Sequence, residues 1–425
     1  MRVLVLGSGA REHALAARLA AESEVDQISC APGNPGTSAL GPTVPIDLAD
    51  MDSVVALAAN ARIDLTVVGP ELPLSLGVVD RFVAEGRLIF GPSQAAAQLE
   101  SSKAFAKAFM TRHHVPTARF LTCESPEEAL AAVASGTFGF PVVLKADGLA
   151  AGKGVVIAED RAGATAAISA LMNEHRFGTA GDRVVVEECL TGPEVSFFVL
   201  SDGQRAVPLV SAQDHKRIFD DDKGPNTGGM GAFAPSVLID PPLETRILRD
   251  IVEPVIAGMA SDGHPFRGFL YVGLMLTADG PKVIEFNVRL GDPEAQVILP
   301  LIDEPLLPLL VGGAEGQLPR TSCRIGQDKL VGVVLASRAY PESSEAGQPI
   351  HGIAEAGRTS QVFHAGTAWR NGDLVTAGGR VLTVVGRGAT FPDAIARAYA
   401  GVEQIHFDGM QYRRDIGRHA LRSHD

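Results

Sequence analysis

Apolar and polar residues alternate in blocks along the N-terminal quarter of the chain, which predicts repeated strand–turn–helix units. Apolar runs within Val3–Leu6, Gln27–Cys30, Asp64–Val68 and Leu88–Phe90 each end at a turn rich in Gly, Pro or polar residues. The stretch Arg11–Ala21 has apolar residues at helical spacing instead. Short apolar strands of this kind predict a parallel sheet whose turns meet at one edge, where ligands collect.

The middle of the chain predicts a helix, a smaller α/β unit and then a mixed region. The helix covers Ser101–Thr111, and Pro116 ends it. In the unit from Pro116 to Leu190 we expect strands at Ala118–Thr122, Val142–Lys145, Val155–Ala158 and Val184–Glu187, with a capped helix after Ser125. Further strands are expected at Ser196–Leu200, Phe269–Leu276 and Val283–Phe286.

The C-terminal part has a weaker pattern. We expect a linker at Gly312–Gly326, strands at Val331–Ala336 and Val381–Val385, and a helix after Pro392. Parallel units followed by mixed ones predict an α/β protein that is α+β overall.

Composition narrows the function classes. A chain of 425 residues that is 46% hydrophobic and 20% charged is globular and long enough for two to four domains. A net charge of −13 argues against a nucleic-acid partner, which requires a basic face. No apolar run reaches about 18 residues, so no membrane span is expected.

Cysteine spacing favours a reducing compartment. Cys30, Cys123, Cys189 and Cys323 are far apart and form no C-x-x-C pair, so we expect neither a disulfide framework nor a metal cluster. The chain enters a strand at Arg2–Leu6 without a signal-peptide pattern. We therefore expect a cytoplasmic protein.

A glycine-rich loop after a strand is the strongest chemical signal. V-V-L-K-A-D-G-L-A-A-G-K-G-V, from Val142 to Val155, carries Lys145 and Lys153. The backbone of such a loop can close over phosphates while the lysines neutralise them. The chain has only 8 Lys against 29 Arg, and six of the lysines lie in or beside the motifs discussed here. In a chain that uses Arg by default, this placement favours ligand sites over a solvated surface for these lysines.

The segment E-F-N-V-R-L-G-D-P-E is the second signal. Glu285 and Asn287 face the same way on a strand, and both offer oxygen to one Mg²⁺. Arg289 continues this face and could brace a phosphoryl group in transfer. A half-exposed strand is the alternative without a function.

Anion and substrate sites are predicted at several turns. G-S-G-A-R-E-H, from Gly7, opens a helix whose N–H groups and Arg11 suit a sugar phosphate, although a simple tight turn is the alternative. P-G-N-P-G-T and G-P-E end neighbouring strands on the same rim, as turns or as pocket lining. In Q-D-H-K-R, Asp214 suits an amino group, and G-P-N-T-G-G-M-G offers N–H groups to phosphate.

Other candidates concern the nucleotide and the tail. In E-E-C-L-x-G-P-E, Leu190 and the backbone suit adenine, while Glu194 can reach ribose hydroxyls. Lys103 starts a helix with Lys107 four residues later, which is also typical of a solvated face. H-A-G-T and G-G-R-V-L in the tail are as consistent with hairpin turns as with a site.

These motifs, taken in order, resemble the phosphoribosylamine–glycine ligase family of ATP-grasp enzymes. The resemblance covers nearly the whole chain. It implies an N-terminal Rossmann-like domain (1–102), an ATP-grasp domain (103–325, with a mobile lid at about 117–190) and a small mixed C-terminal domain (326–425). It also implies a monomer or weak dimer.

The resemblance implies that ATP drives the joining of glycine to 5-phosphoribosylamine in purine biosynthesis, through glycyl phosphate and with Mg²⁺ or Mn²⁺. Catalytic roles fall on Arg289, Asp214 and Lys216, and metal binding on Glu285 and Asn287. ATP contacts are expected from Lys103, Lys145, Gly152, Lys153, Gly154, Glu187, Glu188, Leu190 and Glu194. Substrate contacts are expected from Gly9, Arg11, Glu12, His13, Asn34, Gly36, Thr37, Glu71, Asp214, Asn226, Gly228, Gly229, Met230, Arg289, Gly291, Asp292 and Pro293.

The chain departs from the family pattern in several places. Ala10 replaces a usual Gly, Pro193 a common acid and Leu290 a usual Phe. Many ATP-grasp enzymes have a second metal-binding Glu on the preceding strand, near the position of Gly273 here. Two other hypotheses remain: an ATP-grasp enzyme acting on another carboxylate, such as a carboxylase, and a nucleotide-binding regulator without catalysis.

Overall fold

A parallel sheet forms the N-terminal part of the protein. The computed structural model describes residues 1–149, 154–174 and 178–421. The first sheet has the order β2-β1-β3-β4, with all pairs parallel as predicted. Its elements are β1 (Arg2–Gly7), α1 (Ala10–Ala20), β2 (Gln27–Pro32), α2 (Pro35–Ser38), α3 (Met51–Asn60), β3 (Leu65–Val68), α4 (Glu71–Ser75), α5 (Val78–Ala84), β4 (Ile89–Phe90), α6 (Gln98–Ser101) and α7 (Lys103–Arg112).

The next unit is a four-stranded antiparallel sheet in the order β5-β8-β6-β7. Its elements are β5 (Phe120–Cys123), α8 (Pro126–Ala134), β6 (Val142–Ala146), β7 (Val155–Ala158), α9 (Arg161–Ile168) and β8 (Val184–Glu188). Each helix begins at a side-chain cap, since Ser125 accepts from Glu128 N–H and Asp160 from Gly163 N–H. Alanines and branched apolar residues form a separate core between the helices and the sheet.

A long antiparallel pair dominates the following region. β9 and β15 pair over nine residues, in a sheet with the order β10-β9-β15-β16. The elements are β9 (Glu194–Asp202), β10 (Ala206–Pro208), β11 (Gln213–Asp214), β12 (Arg217–Phe219), β13 (Lys223–Asn226), β14 (Gly231–Ala234), α10 (Pro241–Ile247), α11 (Glu253–Ser261), β15 (Arg267–Thr277), β16 (Gly280–Asn287), α12 (Ala295–Ile298) and α13 (Leu307–Glu315).

The last sheet combines the tail with earlier strands. Its order is β11-β14-β17-β21-β18, so two strands from within 103–325 complete the sheet of the expected C-terminal domain. The tail contributes β17 (Lys329–Ala336), α14 (Ile353–Ala356), β18 (Gln361–His364), β19 (Thr367–Arg370), β20 (Asp373–Thr376), β21 (Arg380–Gly388) and α15 (Phe391–Val402). This shared sheet connects the strand of Asp214 to the tail through β14.

Two predictions for the second half of the chain were wrong or incomplete. Part of the expected linker Gly312–Gly326 is helical, because α13 extends to Glu315 and ends at Gly316 in the left-handed region (φ 82°). The strands β18 (Gln361–His364), β19 (Thr367–Arg370) and β20 (Asp373–Thr376) were not predicted. Among the described residues, none of the helices has the length and apolar character needed to cross a bilayer.

Candidate functional site

A large cleft lies where the sheets meet. Its volume is about 1020 Å³, which is large enough for a nucleotide together with a small substrate. Residues from the parallel sheet, the unit of β5–β8, the β9–β16 sheet and the tail all border it. The cleft therefore gathers side chains that are hundreds of positions apart.

Arg289 lies just after β16 between two carboxylates. Its Nε donates to Glu71 at 3.1 Å and its Nη2 to Glu100 at 2.9 Å. The second oxygen of Glu100 accepts the backbone N–H of Val288 at 2.8 Å. Burial raises the pKa of Glu100, although Arg289 opposes the shift. This network holds a planar cation at the wall of the cleft.

Glu285 and Asn287 border the cleft from the same face of β16, as predicted from strand geometry. Burial favours the neutral acid, but Lys216, Lys145 and nearby cations outweigh it and lower the pKa of Glu285. Among the described residues, the Glu285 carboxylate forms no hydrogen bond or ion pair. An ionised, unpaired carboxylate beside an amide oxygen fits Mg²⁺.

The position of a second acidic ligand is occupied by glycine. Gly273 on β15 pairs directly with Glu285 on β16. Within the described residues, no group of three or more His, Cys, Asp or Glu is placed to hold a metal ion. Glu285 and Asn287 are thus the side chains of β16 whose oxygens would hold Mg²⁺.

Glu187 at the end of β8 lies between two lysines. Lys107 from α7 and Lys145 from β6 are both ion-paired with it, and all three side chains are buried. Burial is the largest influence on the pKa of Glu187, yet the two lysines outweigh it and lower the value. Burial lowers the pKa of Lys107 to about 8. The triad connects helix α7 to the β5–β8 unit at the cleft wall.

The other expected nucleotide contacts lie along the same wall. Lys103 donates to the carbonyl of Gly148 at 3.0 Å. Glu188 accepts from Arg119 Nε at 2.7 Å, so its side chain is engaged, and the residue borders the cleft together with Leu190 and Gly154. Gly152 and Lys153, two residues of the predicted phosphate loop, lie outside the described residues.

Asp214 and Lys216 border the cleft from the start of the shared sheet. Loss of solvation raises the pKa of Asp214 to about 7, even though Lys216 opposes the shift. Lys216 is ion-paired with Glu194 at the start of β9. The pair Asp214 and Lys216 thus presents opposite charges on neighbouring positions of one wall.

Arg380 connects the G-P-N-T-G-G-M-G loop, which contains Gly228, to the tail. Its Nη1 donates to the carbonyls of Gly228 and Asp292, both at 2.5 Å, and its Nη2 lies 3.2 Å from the Asp292 carboxylate. Asn226, Gly228, Gly291 and Asp292 border the cleft. The G-G-R motif of the tail therefore contributes a side chain to the site.

Polar groups of the G-S-G-A-R-E-H turn form hydrogen bonds mainly with one another. Glu12 accepts from the N–H of Gly9 and from Arg11 Nε, both at 2.6 Å. Arg11 Nη1 donates to the carbonyl of Leu290 at 3.1 Å. Arg11 borders the cleft, and its Nη2 forms no hydrogen bond to any described residue. One arm of its guanidinium is thus available to a ligand.

The next turns connect to H-A-G-T rather than to the cleft. His13 Nδ1 accepts the backbone N–H of His364 at 2.9 Å, and Asn34 Nδ2 donates to the His364 carbonyl at 2.8 Å. Asn34 also caps α2 by accepting from Thr37 N–H. Burial, followed by the charge of His364, lowers the pKa of His13 to about 3, so it stays neutral.

The structure brings most expected residues together. Those that border the cleft are Arg11, Glu71, Lys103, Lys145, Gly154, Glu187, Glu188, Leu190, Glu194, Asp214, Lys216, Asn226, Gly228, Glu285, Asn287, Arg289, Gly291 and Asp292. The other described residues among those expected do not line it: Gly9, Glu12, His13, Asn34, Gly36, Thr37, Gly229, Met230 and Pro293. Glu100, Arg380, Tyr271 and Glu294 also border the cleft but were not among the expected residues.

Family models match the chain in three consecutive parts. Residues 1–100 match the phosphoribosylglycinamide synthetase N domain, residues 101–295 its ATP-grasp (A) domain, and residues 330–419 its C domain. The chain belongs to the phosphoribosylglycinamide synthetase family. Phosphoribosylamine–glycine ligases of Ralstonia nicotianae and Xanthomonas axonopodis pv. citri are 49% and 48% identical to it. Each match covers 99% of this chain, and 100% and 98% of the respective relative.

Solved structures agree with this family. The crystal structure of phosphoribosylamine–glycine ligase from Thermotoga maritima matches with a TM-score of 0.85 and 36% identity, over 98% of this chain and 100% of that one. A biotin carboxylase from Campylobacter jejuni matches with a TM-score of 0.73 but only 16% identity, over 100% of this chain and 95% of that one. This second likeness concerns the ATP-grasp fold alone.

Proposed function

We propose that this cleft joins glycine to 5-phosphoribosylamine, using ATP and releasing ADP and phosphate, to give glycinamide ribonucleotide for purine biosynthesis. The observation that best supports this function is that one cleft is bordered by Asp214, Lys216, Glu285 and Arg289. Relatives that are nearly half identical over their full length and are named for this reaction support the same assignment.

The proposed chemistry needs no nucleophile from the protein. An oxygen of the glycine carboxylate attacks the γ-phosphorus of ATP, giving glycyl phosphate and ADP. The amine of phosphoribosylamine then attacks the carbonyl carbon, and phosphate leaves with the bridging oxygen. Positioning and charge stabilisation therefore supply the catalysis.

The charged side chains have complementary proposed roles. Asp214 accepts the ammonium group of glycine, while Lys216 and Arg289 balance charge on the phosphoryl group in transfer. Glu285 and Asn287 would hold Mg²⁺, which neutralises the nucleotide phosphates when it is bound. Mn²⁺ accepts the same oxygen ligands and is the proposed substitute.

The nucleotide is proposed to lie along the wall formed by β6 and β8. Lys103, Lys145 and the loop that includes Gly152, Lys153 and Gly154 contact the phosphates, and Glu187, Glu188 and Leu190 contact adenine. Arg11 and Glu71, together with the backbone near Gly228 and Asp292, contact phosphoribosylamine. We further propose that the enzyme acts in the cytoplasm as a monomer or weak dimer.

The testing experiment measures phosphate release from ATP with freshly prepared phosphoribosylamine. Glycine is included or omitted, and alanine and bicarbonate serve as alternative carboxylates. Release that requires both glycine and phosphoribosylamine is the expected result. Release without glycine, or equal release with bicarbonate, would show that the ATP-grasp site serves another carboxylate.

A further inference from the structure

A short segment after the last helix packs against the loop that carries part of the cleft wall. The segment is Arg413–His419, which we call the C-terminal strap. It contacts the hairpin of β12 and β13 and the turn that joins them at Asp220–Asp222. We propose that the strap positions this hairpin for catalysis, with Arg413 as the positioning residue. This inference rests on the proposed function of Asp214 and Lys216.

Arg413 is the centre of the contact. Its side chain has no exposed area, which is exceptional for an arginine. Nε and Nη2 donate to Asp415 at 2.8 and 2.7 Å, while Nη1 donates to the Arg217 carbonyl at 3.1 Å and to Asp222 at 2.7 Å. One planar cation thus joins the strap to β12 and to the turn that follows it.

The strap also binds the turn through the backbone. Asp415 accepts the N–H of Asp221 at 2.9 Å, and the N–H of Arg414 donates to Asp220 at 2.7 Å. Asp221 and Asp222 have φ values of 57° and 52°, a left-handed conformation that costs non-glycine residues free energy. Such a turn persists when its surroundings hold it, and the strap supplies those contacts.

The two strands on either side of the turn at Asp220–Asp222 connect it to residues that border the cleft. β12 begins one residue after Lys216, and β13 ends at Asn226, which borders the cleft. The N–H and hydroxyl of Thr227 both donate to the Lys216 carbonyl at 2.8 Å, closing the base of the hairpin. A displacement of the turn would therefore be transmitted to Lys216 and Asn226.

The end of the strap covers the residue between Asp214 and Lys216. His419 stacks on His215, with ring centroids 5.4 Å apart, and His419 itself borders the cleft. His215 is only 2% exposed, and neither of its ring nitrogens has a hydrogen-bond partner in the described chain. Stacking and burial, rather than polar contacts, hold this side chain, so its position depends on the strap.

The test combines hydrogen exchange with steady-state kinetics on the full-length protein. Arg413→Lys keeps the charge but loses the planar fork. Asp222→Asn is a milder second variant, because this side chain is half exposed and Asn tolerates the left-handed region. Val54→Ala, in the core of the N-terminal part and outside the apolar cluster that holds Ile416 of the strap, is the control for a general loss of stability.

In Arg413→Lys we expect peptides covering residues 216–227 to exchange about fivefold faster or more, with a smaller change in Asp222→Asn and none in Val54→Ala. Unchanged exchange in both Arg413→Lys and Asp222→Asn would contradict the proposal that the strap holds the hairpin. This readout is independent of substrate, so it is decisive even if the proposed reaction fails in the wild type.

Kinetics then test the positioning role. In Arg413→Lys we expect kcat/KM for glycine to fall about tenfold while KM for ATP stays within about twofold, since the nucleotide wall is separate. Equal losses in Arg413→Lys and Val54→Ala, or an unchanged kcat/KM for glycine, would reduce Arg413 to a structural ion pair and overturn the proposal.

Discussion

Arg289 donates a hydrogen bond of 2.9 Å from Nη2 to the carboxylate of Glu100. Glu100 is held in turn by the N–H of Val288, so the arginine and its partner are fixed from two elements. Burial with Glu100 and Glu71 keeps Arg289 charged, because these carboxylates raise its pKa against the effect of desolvation. A fixed planar cation at the cleft wall is suited to charge that spreads over a phosphoryl group.

Arg289→Lys should therefore impair turnover severely. Lysine keeps one charge but cannot donate to Glu71 and Glu100 from a planar fork. We expect kcat to fall about 100-fold or more, as for other fixed donors to a transition state. Steady-state kinetics at saturating substrates measure this, and near wild-type kcat would assign the phosphoryl role to another residue.

Glu285→Ala should remove half of the protein's ligands for the metal ion. We expect a loss of Mg²⁺-dependent turnover of about 100-fold at limiting Mg²⁺ and partial recovery at high Mg²⁺. Asp279→Asn, in the exposed turn before β16, is the matched control and should behave as wild type. Unchanged turnover of Glu285→Ala across a Mg²⁺ titration would contradict the assignment.

The affinity for glycine should depend on the ionisation of Asp214. Its pKa is raised to about 7, chiefly by loss of solvation. The carboxylate is thus charged above this pH and neutral below it, while the glycine ammonium stays protonated throughout. We expect affinity to fall about tenfold as the pH drops from about 8 to 6. Calorimetric titration with ADP and Mg²⁺ present measures this, and Asp214→Asn should bind weakly with no such dependence; a wild-type affinity independent of pH contradicts the role.

Lys107→Met should weaken nucleotide binding selectively. The substitution leaves Glu187 with Lys145 as its remaining ion-pair partner. The wall formed by β6 and β8, which is proposed to bind the nucleotide, therefore loses one positive charge. We expect affinity for ATP to fall about tenfold, with KM for glycine unchanged. Lys329→Met is the control, since this ammonium forms no ion pair with a described residue and donates to the Gln327 carbonyl instead. Equal ATP affinity in the two variants would argue against a role for the triad.

The N-terminal fold was predictable because its signals are local. Each short apolar strand is followed by a Gly- or Pro-rich turn, and β1–β4 pair in parallel as this pattern predicts. The strand at Val155–Ala158 was predicted with its observed bounds. Periodicity and turn chemistry within a few residues were sufficient in both cases.

The expected linker at Gly312–Gly326 shows where local signals fail. Glycine disfavours helix, but Gly313 faces Phe90 and Leu200 so closely that an added Cβ would lie 2.6 and 3.1 Å from their side chains. Close packing of α13 on the two sheets thus requires glycine inside the helix. Such a contact joins distant parts of the chain and has no local signature.

The candidate site was predictable where one motif carries several of its groups. Glu285, Asn287 and Arg289 lie together because strand alternation is a local property. Glu100 was missed, and the role of the G-G-R-V-L motif with Arg380 was left open, because each residue meets its partners across more than 80 positions. His13 and Asn34 form hydrogen bonds with the backbone of His364. A turn-rich motif does not show from sequence alone whether its polar side chains bond to the backbone or to a ligand.

Transfer of oxygen from glycine to phosphate tests the central claim most directly. If the glycine carboxylate attacks ATP and the amine then displaces phosphate, one carboxylate oxygen leaves with each phosphate. With glycine labelled by ¹⁸O in both carboxylate positions, mass spectrometry should find one ¹⁸O in each phosphate released. Phosphate that carries no ¹⁸O, while glycinamide ribonucleotide accumulates, would contradict the account.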